Sequence, residues 1–308
     1  MQTKKDLKMT IKDKLNGVFT ALITPFNTDG SIDWKAFDAL IERQLEAGIH
    51  GLVPVGTTGE AATLSDNEAI KIIERTVELA KGKAYILAGT GSNSTEKTIN
   101  ATKRAADAGV DGVLLVTPYY NKPSQVGLIS HYEAVADCAE VDNILYSVPG
   151  RCGIAIDIST AAHLSRSRTN IIAIKEAGGA PERVTELRAN CDPAFAVHCG
   201  DDGLALAFYT LGATGLTSVL SNYEPAVCLA LYNAWQNGNH ERALQIHEDI
   251  FQLANDLFIE NSPAPVKYAI SMQGYINNIV RQPLATLQPG STAVLEKTIK
   301  TFLEKKVI

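Results

Sequence analysis

Eight short apolar segments with the character of β-strands recur along the chain. They span residues 17–25, 51–56, 85–91, 112–119, 143–149, 171–177, 195–201 and 215–222. Between them lie stretches such as WKAFDALIERQLEAG and TINATKRAADAG, in which apolar residues stand three and four positions apart, the period of an amphipathic helix. This alternation of strand and helix predicts an α/β protein with a parallel sheet.

A short repeat marks the passage from helix to strand. It reads EAGIHGLV at 46–53, DAGVDGVL at 107–114 and LGATGLT at 211–217. The first glycine of each copy can end a helix in the left-handed conformation, and the second allows close packing where the next strand begins. Eight such units favour a closed (β/α)8 TIM barrel. The competing open, doubly wound sheet is disfavoured because no GxGxxG follows the first strand, where a dinucleotide site would require it.

The chain beyond residue 222 predicts helices only. The segments NHERALQIHEDIFQLANDLF, PAPVKYAISMQGY and GSTAVLEKTIKTFLEKK all have helical periodicity. We therefore expect a (β/α)8 barrel that carries the active site over residues 1–232. A small C-terminal all-helical extension is expected over residues 233–308.

Composition restricts the partners. A net charge of -6 gives no electrostatic reason to expect nucleic acid. The opening MQTKKDLKMTIKDKL has no apolar stretch typical of a signal peptide, and no 18-residue apolar run suggests a membrane span. We expect a cytoplasmic protein that acts on small metabolites.

Cysteine and histidine spacing gives no metal-binding pattern. The five cysteines are Cys138, Cys152, Cys191, Cys199 and Cys228, and none forms a CxxC motif. This usage fits a reducing compartment. His198 adjoins Cys199, but neighbours on a strand point to opposite faces and make poor joint ligands. We expect neither a metal ion nor a cofactor.

The sixth apolar segment, NIIAIKEAGG at 170–179, ends in a lysine. In a (β/α)8 barrel the active site lies at the carboxyl ends of the strands. If Lys175 faces the interior, desolvation favours its neutral amine, which can attack a carbonyl and form a Schiff base. The alternative is a lysine paired with a carboxylate at the strand end, although Glu176 should point to the opposite face. The residues alone leave the two interpretations evenly balanced.

Other polar residues follow the ends of the predicted strands. They are Thr57 and Thr58 in GTTGE, Tyr119 and Tyr120 in PYYNKP, and Tyr146 and Arg151 in LYSVPGRCG. Taken singly, each is explained as a turn former, an aromatic at the edge of the core or a solvated charge. Asp201 or Asp202 in GDDG is expected to cap a helix. Ser65 and Glu68 in LSDNE are expected to form a capping box.

Together these motifs resemble the dihydrodipicolinate synthase and N-acetylneuraminate lyase family of pyruvate-dependent class I aldolases. The resemblance covers nearly the whole chain. It runs through GVFTALITPF, GLVPVGTTGEAATL, VTPYYNKPSQ, LYSVPGRCG, IIAIKEAGG, GDD and SPAPVKYA. Several motifs in the right order are far more specific than any one of them.

The resemblance implies a role for each motif. Lys175 would form an imine with pyruvate, and Tyr146 would relay protons to and from it. Thr57 would link Tyr146 to Tyr120, which in this family reaches into the site of the neighbouring subunit. A homo-oligomer, expected to be a dimer of dimers, follows from that arrangement. The implied substrate-binding residues are Thr58, with the backbone amides of its turn, Gly56, Arg151 and Thr217.

The substrate expectation depends mainly on Arg151. It matches the position where the synthases of the family place an arginine on the carboxylate of L-aspartate 4-semialdehyde, a task that suits a planar guanidinium. GTTGE also resembles the synthase form, since the lyases typically carry GSTGE. The expected function is condensation of pyruvate with L-aspartate 4-semialdehyde in lysine (diaminopimelate) biosynthesis. The alternatives are a related aldolase or lyase for a sugar acid or keto acid, and a barrel that only binds a metabolite.

Some positions depart from the family pattern. Ser147 and Ser262 stand where asparagine is usual. Lysine-inhibited relatives carry acidic and histidine side chains at positions that correspond here to Lys97, Asp66 and Ala69. Because Lys97 would repel the ammonium group of a lysine effector, we expect weak or absent feedback inhibition.

Overall fold

The computed structural model describes residues 14–308. Most of the segment considered for a signal peptide, residues 1–13, lies outside the described residues. Eight parallel strands close into a barrel in the order β1 to β8, and β8 pairs with β1. The strands are β1 Gly17–Ala21, β2 Gly51–Val53, β3 Tyr85–Gly89, β4 Gly112–Val116, β5 Asp142–Ser147, β6 Ile171–Glu176, β7 Ala196–Cys199 and β8 Gly215–Ser218. The predicted (β/α)8 barrel is confirmed.

Helices connect successive strands and then continue past the barrel. Those of the barrel are Trp34–Ala47, Asp66–Ala80, Thr95–Ala108, Gln125–Ala136, Pro149–Cys152, Ile158–Ser167, Glu182–Asn190, Ala205–Thr210 and Pro225–Gln236. Short 3-10 helices span Ala61–Thr63, Asp202–Leu204 and Leu220–Asn222. The predicted C-terminal helices are His240–Asp256, Ala264–Met272 and Pro289–Lys305. The predicted division after residue 232 falls inside Pro225–Gln236, a helix that packs on β1, and the two-domain division stays a prediction.

The glycine repeat has the expected conformation. Gly48, Gly109 and Gly212 have φ of 81°, 90° and 95°, so each provides the left-handed turn that leads out of a helix. The second glycine is needed for packing inside the barrel. A Cβ on Gly51 would lie 2.5 Å from the ring of Phe19, which is fully buried. This position therefore has no room for a side chain.

Each strand buries both of its faces, because one face lines the barrel and the other meets the helices. Outward residues such as Leu52, Val113 and Ile174 belong to a large core shared with the helices. Inward residues such as Phe19 and Leu114 form a second, smaller cluster. The barrel is therefore a packed core.

The polar loops contain two of the predicted helix caps. The capping box of Ser65 and Glu68 is present. Asp201 caps the 3-10 helix that follows β7, accepting a hydrogen bond from the amide of Gly203 at 2.9 Å. Asp202 instead accepts hydrogen bonds from Ser218 and from two amides after β8, so it fixes the end of that strand.

All five cysteines are free. His198 and Cys199 do point to opposite faces: His198 bonds inside the barrel, whereas Cys199 belongs to the outer core. Within residues 14–308 no group of three or more His, Cys, Asp or Glu side chains is arranged to hold a metal ion. Over the same residues, no helix has the length and apolarity needed to cross a membrane.

Candidate active site

Lys175 is the fifth residue of β6 and points into the barrel. Its side chain is buried, with only 7% of the residue exposed. The Nζ atom lies 4.3 Å from the centroid of the Tyr146 ring, and the two residues are paired across β5 and β6. Lys175 forms no salt bridge with any described residue. The structure thus favours the interior amine over the ion-paired lysine at a strand end.

Glu176 faces away from Lys175, as the alternation of the strand requires. Its fully buried carboxylate accepts hydrogen bonds from Arg183 Nε at 3.0 Å and from the amide of Gly178 at 2.8 Å. Burial raises the pKa of Glu176, and the Arg183 guanidinium opposes that rise. This pair fixes the loop after β6 and keeps the nearest carboxylate in sequence out of the barrel.

His198 flanks Lys175 on the other side, because β7 is paired with β6 in that register. Its Nε2 lies within hydrogen-bond distance of the Leu15 carbonyl, and its Nδ1 is 3.2 Å from Thr217 Oγ1. Since a carbonyl can only accept, we assign the proton to Nε2, and Thr217 then donates to Nδ1. The pKa of His198 is lowered to about 4, mainly by desolvation; the hydrogen bond with the Leu15 carbonyl opposes this shift, and the nearby Lys175 adds to it. The imidazole is therefore neutral at pH 7.

Sequence reasoning considered His198 only as a metal ligand and did not place it in the site. The only signal in the sequence is that His198 is a polar residue within the apolar run FAVHCGD, two residues before the GD that ends this run. That signal is weak, because a buried histidine in a strand is also explained by ordinary packing.

The turn after β2 carries the GTTGE motif at the carboxyl end of the barrel. Val55, just before the motif, and Glu60, its last residue, have φ of 57° and 58°. The left-handed conformation is unfavourable for a β-branched residue, and such strain is found mainly where a turn has a binding or catalytic task. Within the turn Thr58 is buried, whereas Thr57 is exposed. The motif thus presents a strained backbone to the mouth of the barrel.

Tyr120 and Arg151 lie on the surface of the single chain. Tyr120 is 90% exposed and has a φ of 71°. Arg151 is exposed on the short helix Pro149–Cys152 and has no salt bridge within residues 14–308. Among the described residues no hydrogen bond joins the hydroxyls of Thr57, Tyr146 and Tyr120. The chain therefore brings Lys175 and Tyr146 together and leaves Tyr120 open to solvent.

The residues discussed for lysine feedback line a separate cavity of about 130 Å³. Asp66 and Ala69 come from one helix, and Lys97 comes from the next. Arg104 adds a second positive charge to the lining. Two cations and one carboxylate make this cavity unfavourable for another ammonium group.

Comparison with known proteins identifies the family. The model of the dihydrodipicolinate synthetase family matches residues 14–302. The chain belongs to this family. It is 42% identical over 283 residues to a 4-hydroxy-tetrahydrodipicolinate synthase of Magnetococcus marinus, covering 92% of this chain and 96% of the relative. The predicted resemblance is thus confirmed at the level of the family.

Solved structures of the family have the same fold. The 4-hydroxy-tetrahydrodipicolinate synthase of Methylacidiphilum fumariolicum SolV superposes with a TM-score of 0.93 at 44% identity, covering 95% of this chain and 98% of the other. The chloride-inhibited dihydrodipicolinate synthase of Acinetobacter baumannii, a complex with pyruvate, has a TM-score of 0.91 at 39% identity, covering 95% and 99%. The family's barrel is therefore the fold of this chain over nearly its full length.

The helix that follows the GTTGE turn is anchored by an ion pair. The guanidinium of Arg281 donates to both carboxylate oxygens of Glu68, one of them at 3.0 Å. Hydrogen bonding from Arg281 is the main reason that the pKa of Glu68 is lowered to about 2, and Ser65 contributes further hydrogen bonds. This depressed pKa links the anchoring of the helix to pH.

We predict that Glu68→Gln destabilises the protein by about 1 to 3 kcal/mol at neutral pH, because it removes a charge-assisted hydrogen bond. The folded-state pKa of Glu68 is below its unfolded value of 4.5. The stabilisation is therefore complete above that value and is lost as the pH falls towards about 2. Urea unfolding of both proteins at pH 6 and pH 3 should show a smaller difference at the lower pH. Glu74→Gln, an exposed position on the same helix, is the control, and a difference independent of pH would contradict the prediction.

Proposed function

We propose that the protein is a 4-hydroxy-tetrahydrodipicolinate synthase, which condenses pyruvate with L-aspartate 4-semialdehyde through a Schiff base on Lys175. The observation that carries this proposal is a buried amine at the mouth of the barrel with no carboxylate partner among the described residues. A barrel that only binds a metabolite has no need of such a group. Family membership and the pyruvate complex of the A. baumannii relative support the same chemistry.

The first half-reaction uses Lys175 and Tyr146, which lie together inside the barrel. The Lys175 amine attacks the keto carbon of pyruvate, and loss of water gives the imine. Tyr146, whose ring lies beside the amine, relays protons at the steps that need them. Thr57 and Tyr120 extend this relay in the proposal, with Tyr120 supplied by the neighbouring subunit.

The keto acid is held by its carboxylate at the turn after β2. Thr58 provides a hydroxyl, and the backbone from Gly56 onward provides amides that can bind an anion. Thr217 is included because the register places it on the inner face of β8, two residues beyond the partner of His198, towards the mouth of the barrel. Its hydroxyl hydrogen is directed to His198, which leaves an oxygen lone pair for a donor in the site.

The second half-reaction requires a site for another carboxylate. Loss of a proton from the methyl carbon of the imine gives an enamine, which attacks the aldehyde carbon of the semialdehyde. The product's own amino group then attacks the imine carbon, closes the ring and releases Lys175, so that one water is lost overall. Arg151 is free of protein carboxylates within residues 14–308 and is proposed to clamp the semialdehyde's carboxylate.

The proposed working form is a cytoplasmic homo-oligomer, a dimer of dimers. Two large apolar side chains near the loop after β4 are solvent-exposed in the single chain, Tyr120 at 90% and Val126 at 73%. Exposed apolar side chains that adjoin one another mark surfaces where another protein subunit can bind. In this proposal association completes the proton relay, because Tyr120 has no partner hydroxyl within the described part of its own chain.

We predict that Lys175→Ala abolishes covalent capture of pyruvate. Borohydride reduces an imine to a stable secondary amine, so intact mass should show a reduced pyruvyl adduct on the wild type and none on the variant. Lys267 is buried but lies outside the barrel interior and provides an internal comparison: peptide mapping should find the adduct only at Lys175. An adduct that persists in Lys175→Ala would overturn the assignment of the nucleophile.

We predict that Arg151→Ala separates the two half-reactions. The pyruvate adduct should form at the wild-type rate, whereas kcat/KM for L-aspartate 4-semialdehyde should fall by roughly 10²-fold, since a hydrogen bond to a charged group contributes about 1.5–3 kcal/mol. Arg166→Ala, an exposed arginine on the helix Ile158–Ser167, is the matched control. Turnover of the semialdehyde unchanged by Arg151→Ala would favour an aldolase for a different second substrate.

We predict weak or absent inhibition by lysine, because Lys97 and Arg104 bring two positive charges to the cavity that contains the positions matching those of lysine-inhibited relatives. Synthase activity should hold at millimolar lysine. Half-maximal inhibition at sub-millimolar lysine would disprove the prediction, and Lys97→Glu is the variant in which sensitivity should rise.

A further inference from the structure

A fully buried ion pair joins the GTTGE turn to the C-terminal helices. Lys267 Nζ donates to the Glu60 carboxylate, and both side chains have 0% exposure. The same Nζ donates to the Ile279 carbonyl at 2.9 Å. Glu60 is the last residue of the turn, whereas Lys267 lies in the helix Ala264–Met272, 207 residues further along the chain.

A second cation completes the surroundings of Glu60. The backbone amide of Arg281 donates to Glu60 Oε2 at 2.8 Å, and its guanidinium donates to the Thr63 carbonyl at 3.0 Å. The ring of Phe26 lies 4.1 Å from Lys267 Nζ and 4.4 Å from Arg281 Cζ, measured to its centroid. Both carboxylate oxygens of Glu60 are thus bonded, and both cations lie close to the same aromatic ring.

A buried ion pair stabilises a fold inefficiently, because both charges must be desolvated. Desolvation lowers the pKa of Lys267 to about 8 even though Glu60 opposes the shift. Apolar side chains of similar volume are often as stabilising as a buried ion pair, because they avoid the desolvation of two charges. Beyond stability, the ion pair provides a defined geometry, since charged hydrogen bonds fix the position of a backbone more tightly than apolar contacts do.

The backbone that the pair fixes is the turn itself. Glu60 has a left-handed φ of 58°, its amide donates to the Thr57 carbonyl at 3.1 Å, and its own carbonyl accepts from Thr63. Gly59 donates to the Gly56 carbonyl at 3.1 Å within the same turn. A shift of the Glu60 side chain is therefore transmitted to the peptide groups on both sides of Thr58.

We propose that Glu60 and Lys267 are positioning residues, which hold the turn at residues 56–60 in the geometry that binds the carboxylate of the keto acid. This inference rests on the proposed function and deepens it. It assigns part of the recognition of the first substrate to the C-terminal helices, which contribute no group to the reacting atoms.

The test uses the double variant Glu60→Gln/Lys267→Met. Lys267→Met alone leaves a buried, unpaired carboxylate and should be strongly destabilised, whereas the double variant removes both charges and should recover most of that loss. Lys305→Met, in an exposed pair with Asp249 on the same extension, is the control.

The readout compares two methyl ketones: pyruvate, which carries a carboxylate, and acetone, in which a methyl group takes its place. Imine formation is trapped with borohydride, and its second-order rate constant is measured for pyruvate and for acetone. In the double variant the rate constant for pyruvate should fall roughly 10- to 100-fold, as expected for a misplaced binding group, with that for acetone unchanged. The control should match the wild type with both ketones.

The possible results distinguish the positioning role of Glu60 and Lys267 from the proposed function. An equal loss with both ketones would show a merely structural role and overturn the inference, as would a double variant that discriminates between the ketones like the wild type. No adduct on the wild type with either ketone would instead overturn the proposed function. Selective loss of the pyruvate reaction supports both.

Discussion

The site depends on one constraint, the alternation of side chains along a strand in a closed barrel. Every strand has two neighbours and two covered faces, so a residue points either into the barrel or towards the helices. At the end of β6 this rule sends Lys175 inward and Glu176 outward, where Arg183 binds it. The amine is thereby left in the interior without the carboxylate that adjoins it in sequence.

The inner layer around the amine keeps it free of negative charge. Tyr146 presents an aromatic face on one side, and a neutral imidazole lies on the other, because His198 is desolvated and bonded to Leu15 and Thr217. None of these groups compensates a positive charge as a carboxylate would. The barrel therefore holds the Lys175 amine in its interior without an ion pair to any described carboxylate.

The pattern of neighbouring residues predicted the strands and the alternation of their side chains, but not the contacts between distant parts of the chain. Apolar runs located all eight strands, but some predicted segments extended past them. The first was predicted to reach residue 25 although β1 ends at Ala21, because Leu22 and Ile23 beyond its end are also apolar and buried. Alternation correctly predicted that Glu176 faces away from Lys175, but it left open which of the two enters the barrel. The bond of His198 to Leu15 spans 183 residues and that of Lys267 to Glu60 spans 207, and no periodicity encodes such partners. Tyr120 shows the further limit that its proposed partner belongs to another chain.

The long-range pairs also explain why the helices after the barrel are more than an addition to it. Glu60 and Glu68 come from the barrel, whereas Lys267 and Arg281 come from the extension, so the charges of the cluster are balanced only when both parts are folded together. Glu60 is fully buried, and a buried anion cannot be left without its cation at low cost. The turn after β2 is therefore formed by the barrel but bonded to side chains from outside it, and the geometry of the mouth depends on both parts of the chain.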